Sequence, residues 1–245
     1  FAAFITACVD LNNANIDGCC VPFINHPRCV ARFGKGFTIR MGFGMHVGWC
    51  VQGAIGSKFK IDCTYLSPHV ELSDRLEAGS KIFVTPMNLS HWFVALMSPT
   101  IKQHLRAIDR IKIAGVPVPM TVYTFDIFNY EACRRQPFLP RHGRNGQRSV
   151  DFITDSSCRE LQRGMDPNFL STFRQGYKHY IDGKWGDAKE CLIEVMEMRS
   201  ANQYNDNKTG LPLPDGPSTQ LLKYMGSHNF TAPTDWDGVH VMEGY

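Results

Sequence analysis

No run of 18 apolar residues occurs anywhere in this 245-residue chain, so no segment reads as a membrane-spanning helix. Charge is scarce: charged residues make up 20% and the net charge is only +3. So small a balance gives no argument for nucleic acid or a membrane surface. The low charged fraction hints at surface covered by something else. No Cys-x-x-Cys pair exists among the nine cysteines, which argues against a zinc site. Cys8, Cys19, Cys20, Cys29, Cys50, Cys63, Cys133, Cys158 and Cys191 are odd in number and irregularly spaced, a usage that reads as a reducing compartment. The opening "FAAFITACVDL" lacks a basic flank and reads as the last turns of a helix rather than a signal peptide. Further residues are therefore expected upstream of Phe1.

What is present suits one large domain, or one medium domain plus an appendage: 43% of residues are hydrophobic. Phe1, Phe4, Ile5, Cys8 and Val9 fall on one helical stripe, and residues 16–37 read as a Gly-, Pro- and Asn-rich loop. "FTIRMGFGMHVGWCVQGAIG" reads as two strands, about 37–47 and 49–55, joined by a tight turn near Gly48. Ser67 to Ala78 is a predicted helix, with Pro68 in its first turn. "KIFVTP" at 81–86 reads as a strand and Met87–Met97 as a helix. "LRAIDRIKIAG" and "PMTVYTFDIF" read as strands flanking a turn at Gly115 to Pro119. Residues 134–148 have the composition of a linker. Phe169, Phe173, Tyr177, Tyr180 and Ile181, then Ala188, Leu192, Val195 and Met196, give a helical hairpin broken at "DGKWGD". Gly176 and Ala188 are spaced like the small contact residues of a tetratricopeptide unit. One such pair cannot bury its own apolar face, so it is expected to dock on something. A short helix and an extended end anchored by Trp236 close the chain, and Trp185 reads as a second anchor.

The stretch "RMGFGMHVGWCVQGAIGSKFKIDCTYLSPHVELSDRLE" (Arg40–Glu77) goes beyond general pattern. It resembles the second half of a class III nucleotidyl cyclase domain. The G-(I/M)-H-x-G strand, G-x-I-G-S strand, K-I-D segment and R-L-E helix occur in that family's order. "RAIDRIKIAGVPVPMTVYTFDI" resembles the domain's closing hairpin. The segment from Gly176 to Trp236 is similar to the tail of long cyclases of ciliates and other protists. The resemblance implies an α/β fold: a ferredoxin-like (α+β) cyclase core, incomplete at its N-terminus, with a helical C-terminal extension. The domains implied are a cyclase homology domain at 1–129, a linker at 130–168 and a tetratricopeptide-like extension at 169–245. It also implies catalysis at a dimer interface, where a ribose 3′-hydroxyl attacks the α-phosphorus and pyrophosphate leaves.

Residue by residue, Arg75 matches the family's transition-state Arg and Thr64 its base-selecting position, with Asp62 nearby. Glu71 falls where the family has an Asn. A carboxylate cannot donate as an amide does, and beside a triphosphate it costs about 1–4 kcal/mol. His69 and Asp74 also depart from the expected small or amide residues. The plain alternatives remain open: Arg75 paired with Asp74 or Glu77, Thr64 as a β-favoured strand residue, Asp62 as a turn cap. His46 reads as a satisfied core histidine, and Lys58 and Lys60 as a solvated turn. Gly42, Gly44 and Gly48 are not a dinucleotide fingerprint. "FDIF" at Phe125–Phe128 looks like the family's metal motif but follows the closing hairpin, where a strand end is expected.

The family's metal aspartates lie in the half that has no counterpart here. No metal ligand and no cofactor is therefore assigned to this chain, and Mg²⁺ or Mn²⁺ enters only if a partner supplies it. Two functions remain. One is a catalytically silent cyclase-like module acting as dimer partner, regulator or structural piece of a larger assembly. The other is an active half that lends Arg75 and Thr64 to ATP or GTP held by a metal-bearing homo- or heterodimer partner. Either would sit on the cytoplasmic side, tethered to a membrane or a large complex through other segments, and neither binds nucleic acid.

Overall fold

Helix α1 (Ala2–Asp17) follows the apolar stripe read from its sequence: Ile5, Cys8 and Val9 are buried against the sheet. The computed structural model describes residues 1–128, 155–201 and 214–242. The 134–148 segment lies outside the described residues. Residues 16–37 are not the loop expected. They form two short helices, α2 (Val21–Ile24) and α3 (Pro27–Phe33), because Pro22 and Pro27 sit in first turns, where their fixed φ is already helical. His26 caps α3 by accepting the Arg28 N–H at 3.2 Å.

Strands β1 (Phe43–Met45), β4 (Met87–Ser90), β5 (Leu105–Lys112), β6 (Met120–Phe125) and β7 (His240–Val241) build a five-stranded mixed sheet ordered β1-β4-β6-β5-β7. The β1–β4 and β5–β7 pairs are parallel; β4–β6 and β5–β6 are antiparallel. The chain is thus mixed α/β, and β5–β6 is an antiparallel hairpin, as its two strands and turn predict. The turn near Gly48 is not a hairpin. β1 belongs to the main sheet, whereas β2 (Val51–Gly56) pairs with β3 (Ile61–Leu66) in a separate two-stranded ribbon closed by Ser57 and Lys60. A Cβ at Gly48 would lie 2.1 Å from the His69 ring, so the chain passes close against α4 there and only glycine fits.

Two further expectations give way to burial. Helix α4 (Pro68–Phe83) runs through the predicted strand at 81–86, because Leu72, Leu76 and Phe83 share its buried face. It stops at Val84, which is left-handed at φ 52°. Met87–Ser90 is buried at every residue, as a strand flanked by β1 and β6 must be. The predicted helix there shrinks to α5 (His91–Ala95), followed by α6 (Pro99–Lys102). Short apolar runs are ambiguous in this way until their neighbours are known.

The two sheet faces carry two cores. On one face, α1 and α7 (Asp155–Leu161) cover Met45, Met87, Leu89, Leu105 and Phe125. On the other, α4 and the tail helices α8 (Phe169–Ile181), α9 (Trp185–Ala201) and α10 (Gly216–Ser227) share one cluster with Ile108, Ile111 and Val122. The helical hairpin therefore docks on the sheet, with Gly176 and Ala188 buried. The indole N–H groups of Trp185 and Trp236 both donate to the Tyr180 carbonyl. The start of α10 abuts the end of α4 so closely that a Cβ at Gly216 would meet the Phe83 carbonyl at 1.9 Å.

A buried charge cluster fastens tail to sheet. Arg106 on β5 is 1% exposed. Its Nη1 and Nη2 donate to the two oxygens of Asp215, each at 2.9 Å, and Nη2 also donates to Asp126 at 2.7 Å. The guanidinium lies over the rings of Phe173 and Phe169, 4.3 and 5.0 Å from their centroids. Asp215 also caps α10, accepting from the Ser218 N–H and hydroxyl. Burial alone would raise its pKa, but Arg106 and Ser218 hold it below the usual carboxylate value. Removing one partner of such a buried pair costs about 3–5 kcal/mol. Asp215→Asn should therefore lower the thermal midpoint by roughly 10 °C in a calorimetric scan; an unchanged midpoint would show that the cluster does not hold the tail.

Candidate functional site

The candidate residues lie on two elements, α4 and the β2–β3 ribbon. Ser67 caps α4 by accepting the His69 N–H at 3.0 Å, and its hydroxyl donates to the Trp49 carbonyl at 2.6 Å. One serine thus starts the helix and fixes the foot of the ribbon. With Leu72 and Leu76 buried, the spacing turns Glu71 and Arg75 together on another face.

Arg75 Nη2 donates to Glu71 Oε1, and Nη1 donates to the Ala114 carbonyl at 3.1 Å. The partner expected for a plain helix pair was Asp74 or Glu77. The observed one is Glu71, four residues back, while Glu77 approaches Lys81 at 3.8 Å. Glu71 is 62% exposed and Arg75 24%. An exposed pair at this spacing contributes only about 0.3–0.5 kcal/mol, so a doubly charged phosphate could displace Glu71 from Arg75.

Thr64 and Asp62 belong to β3, opposite Gly53 and Ile55 of β2. Directly opposed residues share a face, so both lie with Val51, Ile55 and Leu66. Asp62 is no turn cap: it pairs with Lys60 at 2.9 Å on an open surface. Every residue of β2 is exposed, and of β3 only Thr64 is partly covered. The structure thus unites Glu71 with Arg75 but sets Thr64 and Asp62 on a ribbon that stands off the body.

A histidine chain at the ribbon foot was not foreseen as a unit. His46 Nδ1 lies 2.8 Å from Ser90 Oγ, and its Nε2 lies 2.8 Å from His69 Nδ1. Ser90 Oγ also accepts the Phe93 N–H, and the tautomer of His46 sets which of its two contacts donates and which accepts. The satisfied reading of His46 thus fits its surroundings, but the link to His69, 23 residues on, left no trace in the spacing. Burial, then the nearby His69 and His91, lower the His46 pKa to about 4. It therefore stays neutral at pH 7.

Among the described residues, no group of three or more His, Cys, Asp or Glu side chains is placed to hold a metal ion. Asp126, in the motif-like "FDIF", is spent on Arg106. No helix among the described residues is long and apolar enough to cross a membrane. No family model, curated protein or solved structure matches the chain.

The His46 value fixes a pH dependence. The unfolded chain binds a proton near pH 6.5 that the folded chain refuses until about 4. The stability that His46 contributes is complete above pH 6.5 and is lost as pH falls toward 4. An imidazole NMR titration should place the His46 midpoint near 4, and His46→Gln should make the acid-side decline in stability shallower. A midpoint near 6.5 would contradict the half-buried histidine chain.

Proposed function

We propose that the chain is a class III nucleotidyl cyclase-like module, catalytically silent alone, that serves as dimer partner in a larger assembly. The observation that carries this reading is the bare ribbon. Val51, Ile55, Ile61, Tyr65 and Leu66 are 52–74% exposed, and Phe59 at the tip is 97% exposed. An isolated two-stranded ribbon is marginal in water, and such a surface calls for a cover. Thr64 and Asp62 lie on one of its faces, so a partner seated there would meet both. The order of ribbon, R-L-E helix and closing hairpin along the chain supports the cyclase core.

The silent reading is supported by the donors among the described residues. The family's reaction uses carboxylates on divalent cations. The carboxylate in the motif-like segment is paired with Arg106, and Glu71 lies on Arg75. These residues do not fit a magnesium site, so metal ions would have to come from a partner. The second reading, an active half of a cAMP- or cGMP-forming pair, is favoured by one observation: the Ala114 carbonyl holds Arg75 at the surface against a partner as weak as Glu71.

With Mg²⁺ or Mn²⁺ and ATP or GTP, the chain alone should form no cyclic nucleotide above background; robust turnover would overturn the proposal. Mixed with a metal-bearing cyclase partner, Glu71→Asn separates the two readings. An active half gains about 10-fold for each ~1.4 kcal/mol recovered and loses the gain on Arg75→Ala. A silent module gives a flat response.

A further inference from the structure

The surface around α2 and α3 differs in charge from the rest of the molecule. No Asp or Glu lies between Asp17 and Asp62, whereas Arg28, Arg32, Lys35 and Arg40 do. All four are exposed. Among the described residues, no carboxylate pairs with any of them. Neither α2 nor α3 buries a residue. Phe23 is 66% exposed, Ile16 59% and Met41 58%.

A surface whose segment 18–61 carries cations and bare apolar side chains but no carboxylate has three usual partners: an acidic protein, a single-stranded nucleic acid or an anionic bilayer. Nucleic acid needs aromatic faces for its bases. Here Phe33 and Phe37 stack on each other, ring centroids 4.5 Å apart, and the Arg32 guanidinium lies 5.2 Å from the Phe33 centroid. Phe23 alone offers an exposed ring outside that stack, and Ile16 and Met41 have none. A protein partner fits a contiguous patch or groove, whereas these side chains come from three different segments, the end of α1, α2 and the stretch before β1. A fluid interface takes scattered apolar side chains one by one, while Lys and Arg meet its phosphates.

We propose that this surface docks on an anionic phospholipid bilayer, with Arg28, Arg32, Lys35 and Arg40 at the headgroups and Phe23 entering the acyl boundary. The attachment does not depend on the cyclase reading, and it leaves the ribbon available.

The test is co-sedimentation of the 245-residue chain with phosphatidylcholine vesicles, with and without phosphatidylserine. The chain should sediment only with the anionic vesicles. It should be released at about 1 M salt, where the screening length falls to ~3 Å; this arm needs no variant and no refolding. The triple change Arg28→Gln, Arg32→Gln, Lys35→Gln should weaken partition on the order of 100-fold, about fivefold per cation. Phe23→Ser should weaken it as well, while Phe59→Ser at the ribbon tip should not. The proposal is overturned by failure to bind anionic vesicles, by equal binding to neutral ones, or by full binding of the triple variant. It is equally overturned if Phe59→Ser abolishes binding, or if single-stranded RNA binds and vesicles do not.

Discussion

Arg106 is the interaction on which the rest of the molecule depends. It leaves the start of β5 as a cation with almost no access to water, and an unpaired charge there would be prohibitive. Two carboxylates, one from the middle of the chain and one near its end, meet the two Nη groups, while Arg106 Nε and Asp126 Oδ2 stay unpartnered among the described residues. Asp126 follows the neighbouring strand, and Asp215 lies 109 residues on, at the start of α10. Satisfying the arginine therefore requires the tail to come back to the sheet. Once there, Phe169 and Phe173 close over the guanidinium, and Tyr180, Trp185, Tyr224 and Trp236 form an aromatic block beside Asp109 and His240. The helical hairpin is covered on its apolar side by the sheet rather than by further repeats, which is how a single pair can be stable.

This asymmetry shapes what the other end can do. The tail side is spent on internal contacts, and the ribbon side is not. Ser67, Trp49, His69 and His46 brace the foot of the ribbon, yet its two strands remain open to solvent. The Glu71–Arg75 pair beside it is worth a few tenths of a kcal/mol, against several for the Arg106 cluster. The first can yield to a ligand or partner and the second cannot. A platform of sheet and tail that carries one bare ribbon is what supports the proposed role of dimer partner.

The elements legible in the sequence were those whose period was long. The stripe from Ile5 to Val9, the helices around Phe173 and Leu192, and the β5–β6 hairpin each repeat their pattern over several turns or alternations. The misread segments were short. "KIFVTP" has the composition of a strand, but Phe83 completes the buried stripe of α4. Met87–Ser90 reads equally well as helix until β1 and β6 flank it. The alternation across Gly48 spans two different sheets, and local propensity does not mark where the chain passes the His69 ring. At the candidate site, the Glu71–Arg75 spacing was visible and the ion pair was assigned to other carboxylates. The Arg106 cluster and the His46–His69 link join residues far apart in the chain, and spacing carries no trace of either.

Native-state hydrogen exchange tests the central claim, that sheet and tail are one cooperative body with the ribbon outside it. Amides of β5, β6, α8, α9 and α10 should exchange with a common free energy close to that of global unfolding, and those of β2 and β3 should exchange far faster in the isolated chain. Tail helices that open at a clearly lower free energy than β5 and β6 would contradict the account, because Arg106 would then not bind the two together.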